Sequence, residues 1–372
     1  MNNDLSNNKV RLFYNDLQIN LNDTRSNSGR KHELAFVITL LVISILRSYG
    51  HLNMSKIHRN MLRNYENLCV CLQKDIDHCI SRVQLSRVLS SLDFISFLSI
   101  RTSKEGLSEW YAVDGKELRG SIDLNTKDTR GLSIVYALSH LTNQQQLLGY
   151  YDGTKESEKE VVKESIKDMP DAAKISLDAM HNSSGLLSDI EQNNRFYLTQ
   201  IKANQKHLKE DLIHTSEHLI ADEVLSEIDK SHGRIDQRDY ATYVINTEML
   251  QPRWSESGIC KMIKVTRSSS SMSTGKCRNE NRYYITNYNG DIAEIAGAIR
   301  NHWKIEVMNR IRDVNFGEDN FKSLNHGIQK SMAAIMLFIC SGLVRINNEG
   351  NLNILREELV HNPEKINKFF AA

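Results

Sequence analysis

No CxxC pair occurs among the six cysteines, at positions 69, 71, 79, 260, 277 and 340, and a chain of 372 residues can bury enough core to fold without disulfide staples. A reducing cytoplasm is the expected setting. Cys69, Cys71, His78 and Cys79 do cluster, but they lack the paired-knuckle spacing of a structural zinc site, and zinc is not expected there. An excess of charge of one sign is also lacking, with 47 Lys and Arg against 46 Asp and Glu. A net charge of +1 excludes a global attraction to nucleic acid and leaves any such binding to local basic faces. The uncharged apolar run Leu34 to Leu46 is thirteen residues long. A bilayer-spanning helix needs about 20, so the run reads as a buried helix and implies no membrane role. The opening residues MNNDLSNNKV carry no charged-then-apolar export pattern and read as a frayed tail.

What is present is ordinary globular composition, 40% hydrophobic and 25% charged, at a length suited to two or three domains. Residues 1–108 read as a small all-α domain, with helices over 34–49, 54–65 and 81–97 whose apolar residues fall three and four apart. Fourteen Lys and Arg stand against nine Asp and Glu in that stretch. Lys56, Arg59 and Arg63 lie on neighbouring turns and form a candidate DNA-contacting stripe, with a merely solvated face as the rival reading.

From residue 109 the pattern changes to strands, over 110–113, 132–141 and 146–151, which suggests an antiparallel meander. A helix over 158–169 is stopped by Pro170, and a short buried strand, 173–177, comes after it. A helix over 184–194, a strand over 196–201 and a helix over 204–218 complete the order βββαβαβα. Residues 219–290 read as a mainly β insertion, with strands over 240–246, 259–267 and 283–288 separated by 232–238 and by a serine-rich loop, 268–273. Asp291 is placed to cap a helix running to about Asn309, a core helix over 331–345 packs back onto the sheet, and residues 348–372 read as a weakly packed tail.

Chemistry concentrates at three acids. Asp114 ends the aromatic and β-branched strand 110–113, Gly115 is read as a sharp turn, and Gly120 lets the backbone approach a ligand closely. With Lys116 and Arg119 next in the chain, a carboxylate backed by cations suits a metal that meets phosphate; an ordinary surface turn is the alternative. Asp178 stands at the end of the next buried strand in the same way, with Lys202 in the loop after the strand beyond it. His302 and Glu306 are four apart on one helix face beside Arg300 and Lys304, a pattern that also fits a salt-bridged surface helix.

AVDGKELRGS, SLDAMH, IKANQ, HGRIDQR, RYYI, IRNHWKIE and DVNFGED occur here in the order found in insertion-sequence transposases of the H-repeat-associated (ISAs-type) branch of the DDE superfamily, which the chain resembles over nearly its whole length. HELAFVITLLVISIL and LSRVLSSLD resemble the helical domain that precedes the catalytic domain in those proteins. The resemblance implies an α/β fold: a ribonuclease H-like catalytic core over 109–347 with the β insertion at about 219–290. It also implies that Asp114, Asp178 and Glu306 are the catalytic, metal-holding acids. The implied activity is DNA strand cleavage and joining with two magnesium ions, manganese able to substitute. The implied partners are double-stranded DNA, as terminal inverted repeats and target, and a homodimer on DNA is the candidate assembly. The expected location is cytoplasmic, at the nucleoid when bound to DNA. Lys56, Arg59, Arg63, Lys116, Arg119, Lys202 and His302 are the candidate DNA contacts. After Glu306 the chain reads EVMNRIRDV, one residue shorter than the family pattern, with Val307, Asn309 and Arg310 in place of the usual types. Two alternatives stand beside the transposase reading: a DNA-binding remnant without cleavage, and an unrelated metal-dependent phosphoesterase on a similar fold.

Overall fold

Among the described residues four helices lead the chain: α1 (Asn8–Asn20), α2 (Leu34–Leu46), α3 (Met54–Leu72) and α4 (Arg82–Ser90). The computed structural model describes residues 8–26, 30–94, 97, 109–126, 130–151, 153–231, 233–246, 248, 250–347 and 350–371, so part of the expected helix over 81–97 and the boundary at 108 lie outside the described residues. All thirteen residues of α2 are buried. Its two hydroxyls are tolerated there because Thr39 donates to the Ala35 carbonyl at 2.8 Å and Ser44 to that of Leu40 at 2.6 Å. Helix α3 runs seven residues beyond the expected end at Tyr65 and stops where Gln73 takes a left-handed φ of 55°.

The strands and helices of the middle of the chain are β1 (Trp110–Glu117), β2 (Ser133–Ser139), β3 (Gln145–Tyr151), α5 (Lys155–Asp168), β4 (Lys174–Leu177), α6 (Ser184–Gln192), β5 (Phe196–Ile201) and α7 (Lys206–His218). Four long strands come next, β6 (Glu223–Ser231), β7 (Arg234–Val244), β8 (Lys261–Ser271) and β9 (Cys277–Thr286), and then α8 (Ile292–Arg310). All nine strands form one mixed sheet in the order β3-β2-β1-β4-β5-β9-β8-β7-β6. The protein is therefore a mixed α/β fold. β1, β2 and β3 pair antiparallel as hairpin-linked neighbours, whereas β1, β4 and β5 pair parallel, which requires the crossover helices α5 and α6 between them.

Several local readings are corrected. β1 does not end at Asp114: it continues to Glu117 along β2, although its parallel pairing with β4 stops at Val113 opposite Leu177. Gly115 is thus a strand residue and not a turn. A Cβ there would sit 2.5 Å from the Glu158 carboxyl and from the Tyr151 hydroxyl, so the glycine admits a side chain from α5. Gly120 approaches protein and not ligand, since a Cβ on it would stand 2.1 Å from the Phe321 carbonyl oxygen. The stretches 234–238 and 268–271, read as loops, are strand, because β7 and β8 pair without interruption from Arg234 opposite Ser271 to Val244 opposite Lys261. β6 is an addition to the expected strands; its alternating partly buried and exposed residues are weakly apolar and close a hairpin with β7.

Beyond α8 the chain makes a π-helical turn, Ile311–Asn315, and then the helices α9 (His326–Ile346), α10 (Leu352–His361) and α11 (Pro363–Ala371). By length and composition α9 could cross a bilayer, yet 78% of that apolar stretch is buried within the chain. It is the central core helix, sharing one apolar cluster with α1 to α4, with β1 and β2, and with α10 and α11. The expected weak tail is instead packed: Phe369 and Phe370 are 0% and 3% exposed, and the Phe370 ring lies tilted against that of Phe13 on α1, their centres 4.9 Å apart. Apolar spacing at 366, 369 and 370 carries that signal in a segment too short to stand out.

Candidate active site

The parallel ladder sets the site. Because Val113 pairs with Leu177 in the last rung between β1 and β4, the next residues on the two strands, Asp114 and Asp178, emerge at neighbouring positions of one sheet edge. Helix α8 packs over β1 and β4, started by Asp291, whose carboxylate accepts from the Glu294 amide at 2.8 Å. Among the hydrogen bonds that tie the helix to the sheet, the Trp110 indole donates to Glu294 at 3.0 Å, His302 Nδ1 lies 2.9 Å from Ser176 Oγ, and Asn309 Nδ2 donates to Asp114 Oδ2 at 3.1 Å. Tyr136 on β2 holds Asn309 in turn, donating to its Oδ1 at 2.8 Å.

Asp178 and Glu306 line one cleft of about 310 Å³ together with Lys202, Arg282, His302 and Trp303. Asp114 is not in its wall; its carboxylate is grouped with that of Glu158 and the imidazole of His181. The charge of Asp178 still reaches both Asp114 and Glu306. Burial pushes the Asp114 carboxyl up to about 7, with Glu158 and Asp178 adding to the rise and His181 opposing it. Burial, then the charge of Asp178, raises Glu306. Burial works to raise Asp178 too, but Lys202 Nζ at 2.9 Å and the Ala179 amide at 2.7 Å outweigh it and hold the carboxyl below its usual range. Two carboxyls lifted above their ordinary range and a third neutralised by a lysine form a site short of positive charge, and all three offer hard oxygen donors. These residues fit a divalent cation such as magnesium or manganese.

The remaining candidates separate. Lys202 stays in the site, and Arg282, which sequence reasoning missed, joins it in the cleft wall from β9. His302 lines the cleft, where burial drives its imidazole down to about 4 despite the pull of Asp178. Lys116 is corrected outright: it is 8% exposed and paired with Asp313 at 2.5 Å and Asp319 at 3.6 Å, so it cannot reach DNA. Arg119 is exposed but borders a different cleft, with Asp123 and Lys322. On α3, Lys56 turns back to donate to the Tyr49 carbonyl, whereas Arg59 and Arg63 are exposed. The basic stripe thus reduces to Arg59 and Arg63. Reversing both to Glu should weaken DNA binding and, at about 0.9 per phosphate contact, reduce the slope of log affinity against log salt by up to about 1.8. An unchanged slope in a filter-binding titration would move the DNA contacts off α3.

Sequence reasoning also missed Glu158. It sits in the acid-rich run KESEKEVVKES, where charge alone does not single it out, yet it is 4% exposed and stands four and eight residues before the buried Val162 and Ile166. An acid on the apolar stripe of a helix is the available signal.

Comparison with known proteins agrees with this geometry. Residues 107–341 match the family described as "Transposase DDE domain", and the chain belongs to that family. It is 25% identical over 366 residues to YncI of Escherichia coli O157:H7, a protein that carries the name of a transposase, covering 86% of each chain. It is 27% identical over 225 residues to the protein YbfL of Escherichia coli (strain K12), covering 57% of each.

Proposed function

We propose that the chain cleaves and joins DNA strands at the ends of an insertion sequence, with Asp114, Asp178 and Glu306 as the acids that hold the divalent ions. The observation that carries this reading is the register of β1 and β4, which brings Asp114 and Asp178 to one edge where Glu306 shares a cleft with Asp178. Strand order β3-β2-β1-β4-β5, with three antiparallel strands ahead of two parallel ones, supports a ribonuclease H-like catalytic core over 109–347. On this reading 219–290 is an insertion that lengthens the sheet at β5 and lends Arg282 to the cleft, and 1–108 is the helical domain ahead of the core.

Bound at these acids, two magnesium ions, or manganese in their place, supply Lewis acidity that activates an attacking hydroxyl and stabilises the leaving oxygen of an in-line displacement. The protein's own groups hold and orient. Lys202 and Arg282 bring positive charge to a phosphate entering the cleft, and Lys202 is free to turn to it once a cation takes over Asp178. His302, uncharged and held on Ser176, fixes the helix turn that presents Glu306. Asn309 fixes the Asp114 carboxylate from the same helix. The experiment is magnesium-dependent nicking of DNA that carries the sequences flanking the coding region. Cleavage at those ends supports the reading. Binding without nicking supports the remnant, and hydrolysis of a small phosphoester with no action on DNA supports the phosphoesterase.

A further inference from the structure

Glu158 is a carboxylate buried on the sheet with no lysine or arginine paired to it among the described residues. Buried charges are ordinarily paired or bound to metal, because an uncompensated one costs several kcal/mol. Its neighbours are the Tyr151 hydroxyl, which donates to Oε2 at 2.9 Å, and His181 Nε2, which lies 2.9 Å from Oε1. His181 is 0% exposed, and neither of its ring nitrogens makes a well-formed hydrogen bond among the described residues. Buried polar atoms are rarely left in that state without a missing partner. The donor atoms of Asp114, Glu158 and His181 all lie within 4.8 Å of one another, and two metal–ligand bonds of about 2.0–2.4 Å allow donors that far apart. Gly115 is what makes the grouping possible, since any side chain there would occupy the place of the Glu158 carboxyl.

We infer that Asp114, Glu158 and His181 together hold one divalent cation, on the inner side of the cleft that Asp178 and Glu306 line. This rests on the reading that Asp114 belongs to a metal centre, and it adds to that centre a carboxylate from α5 and an imidazole from the turn after β4. The nitrogen donor changes which ion fits best. Imidazole suits transition metals, whereas magnesium prefers an all-oxygen shell, so the inner position should favour manganese over magnesium.

The test uses the full chain without DNA and Mn2+ alone as probe, read by electron paramagnetic resonance. Bound Mn2+ should show spin-echo modulation from an imidazole nitrogen, and the modulation should disappear in His181→Gln and persist in Asp178→Asn. Glu158→Gln, close in size to the native residue, should weaken the inner Mn2+ at least tenfold. If Glu158→Gln does not fold, the nitrogen modulation of the wild-type chain and its change on labelling histidine with 15N still decide the matter. Wild-type Mn2+ without nitrogen modulation, or a Glu158→Gln chain that binds Mn2+ as the wild type does, overturns the inference. The two readings fail separately. Nitrogen modulation in a chain that does not nick DNA keeps the inner ion and removes the transposition reading, and nicking without modulation removes the inner ion alone.

Discussion

Asp178→Asn should lower magnesium-dependent strand cleavage by more than about 100-fold while leaving the dissociation constant for DNA nearly unchanged. The amide keeps the shape and one oxygen but removes the charge that a hard cation needs, and even a small misplacement of a reacting group costs about 100-fold in rate. The fold should tolerate the change, because Asp178 is a partly exposed residue after the end of β4 whose side-chain partners are Lys202 and the Ala179 amide. The amide oxygen can still accept from Ala179. Parallel nicking and gel-shift titrations check the prediction. Equal cleavage by the variant would remove Asp178 from the metal-holding set.

Arg312→Met should destabilise the protein by about 3–5 kcal/mol in urea unfolding, the usual consequence of breaking a buried ion pair. Arg312 is 0% exposed, its Nη2 donates to Glu318 Oε1 at 2.7 Å, and its guanidinium lies 5.6 Å from the centre of the Tyr136 ring. Methionine fills much of the space but leaves Glu318 buried, with Lys116 at 3.9 Å as its remaining cation. The consequence should reach the site, since Tyr136 is also the residue that holds Asn309 against Asp114. A loss below about 1 kcal/mol would mean that Lys116 alone satisfies Glu318.

This network also accounts for the segment after Glu306. On a continued α-helix each residue of EVMNRIRDV would be turned by about 100° from the one before it. The π-helical turn at Ile311–Asn315 changes that phase locally, turning Arg312 into the core while Asp313 reaches Lys116 at 2.5 Å. Asn309, one turn before Asp313, is the residue that hydrogen-bonds Asp114.

Whether a residue's role is legible in the sequence depends on whether that role is local. The order of three strands and then alternating helices and strands is legible from periodicity, as are the Asp291 cap and the buried run at Leu34–Leu46, because each depends on neighbours in sequence. The acids at 114 and 178 are legible because an acid after an apolar strand is locally conspicuous. Lys116 and Lys56 mislead because a lysine looks alike in sequence whether it faces water or turns to a partner in the fold, an acid 197 residues away for Lys116 and the Tyr49 carbonyl for Lys56. Gly115 misleads for a similar reason. Asp-Gly is a common turn signal, and only the tertiary approach of Glu158 shows why a strand needs a glycine there. The tail is a short segment whose order comes from elements far away in sequence, whereas β6 is only weakly apolar and takes its order from the hairpin it closes with β7.

If the edge formed by β1 and β4 is a metal centre, crystals of the full chain soaked in Mn2+ should show it by anomalous scattering. Manganese peaks should lie in contact with the carboxylates of Asp114 and Asp178, with Lys202 displaced from Asp178. Manganese bound elsewhere on the chain, with no peak at either aspartate and Lys202 still on Asp178, would contradict it.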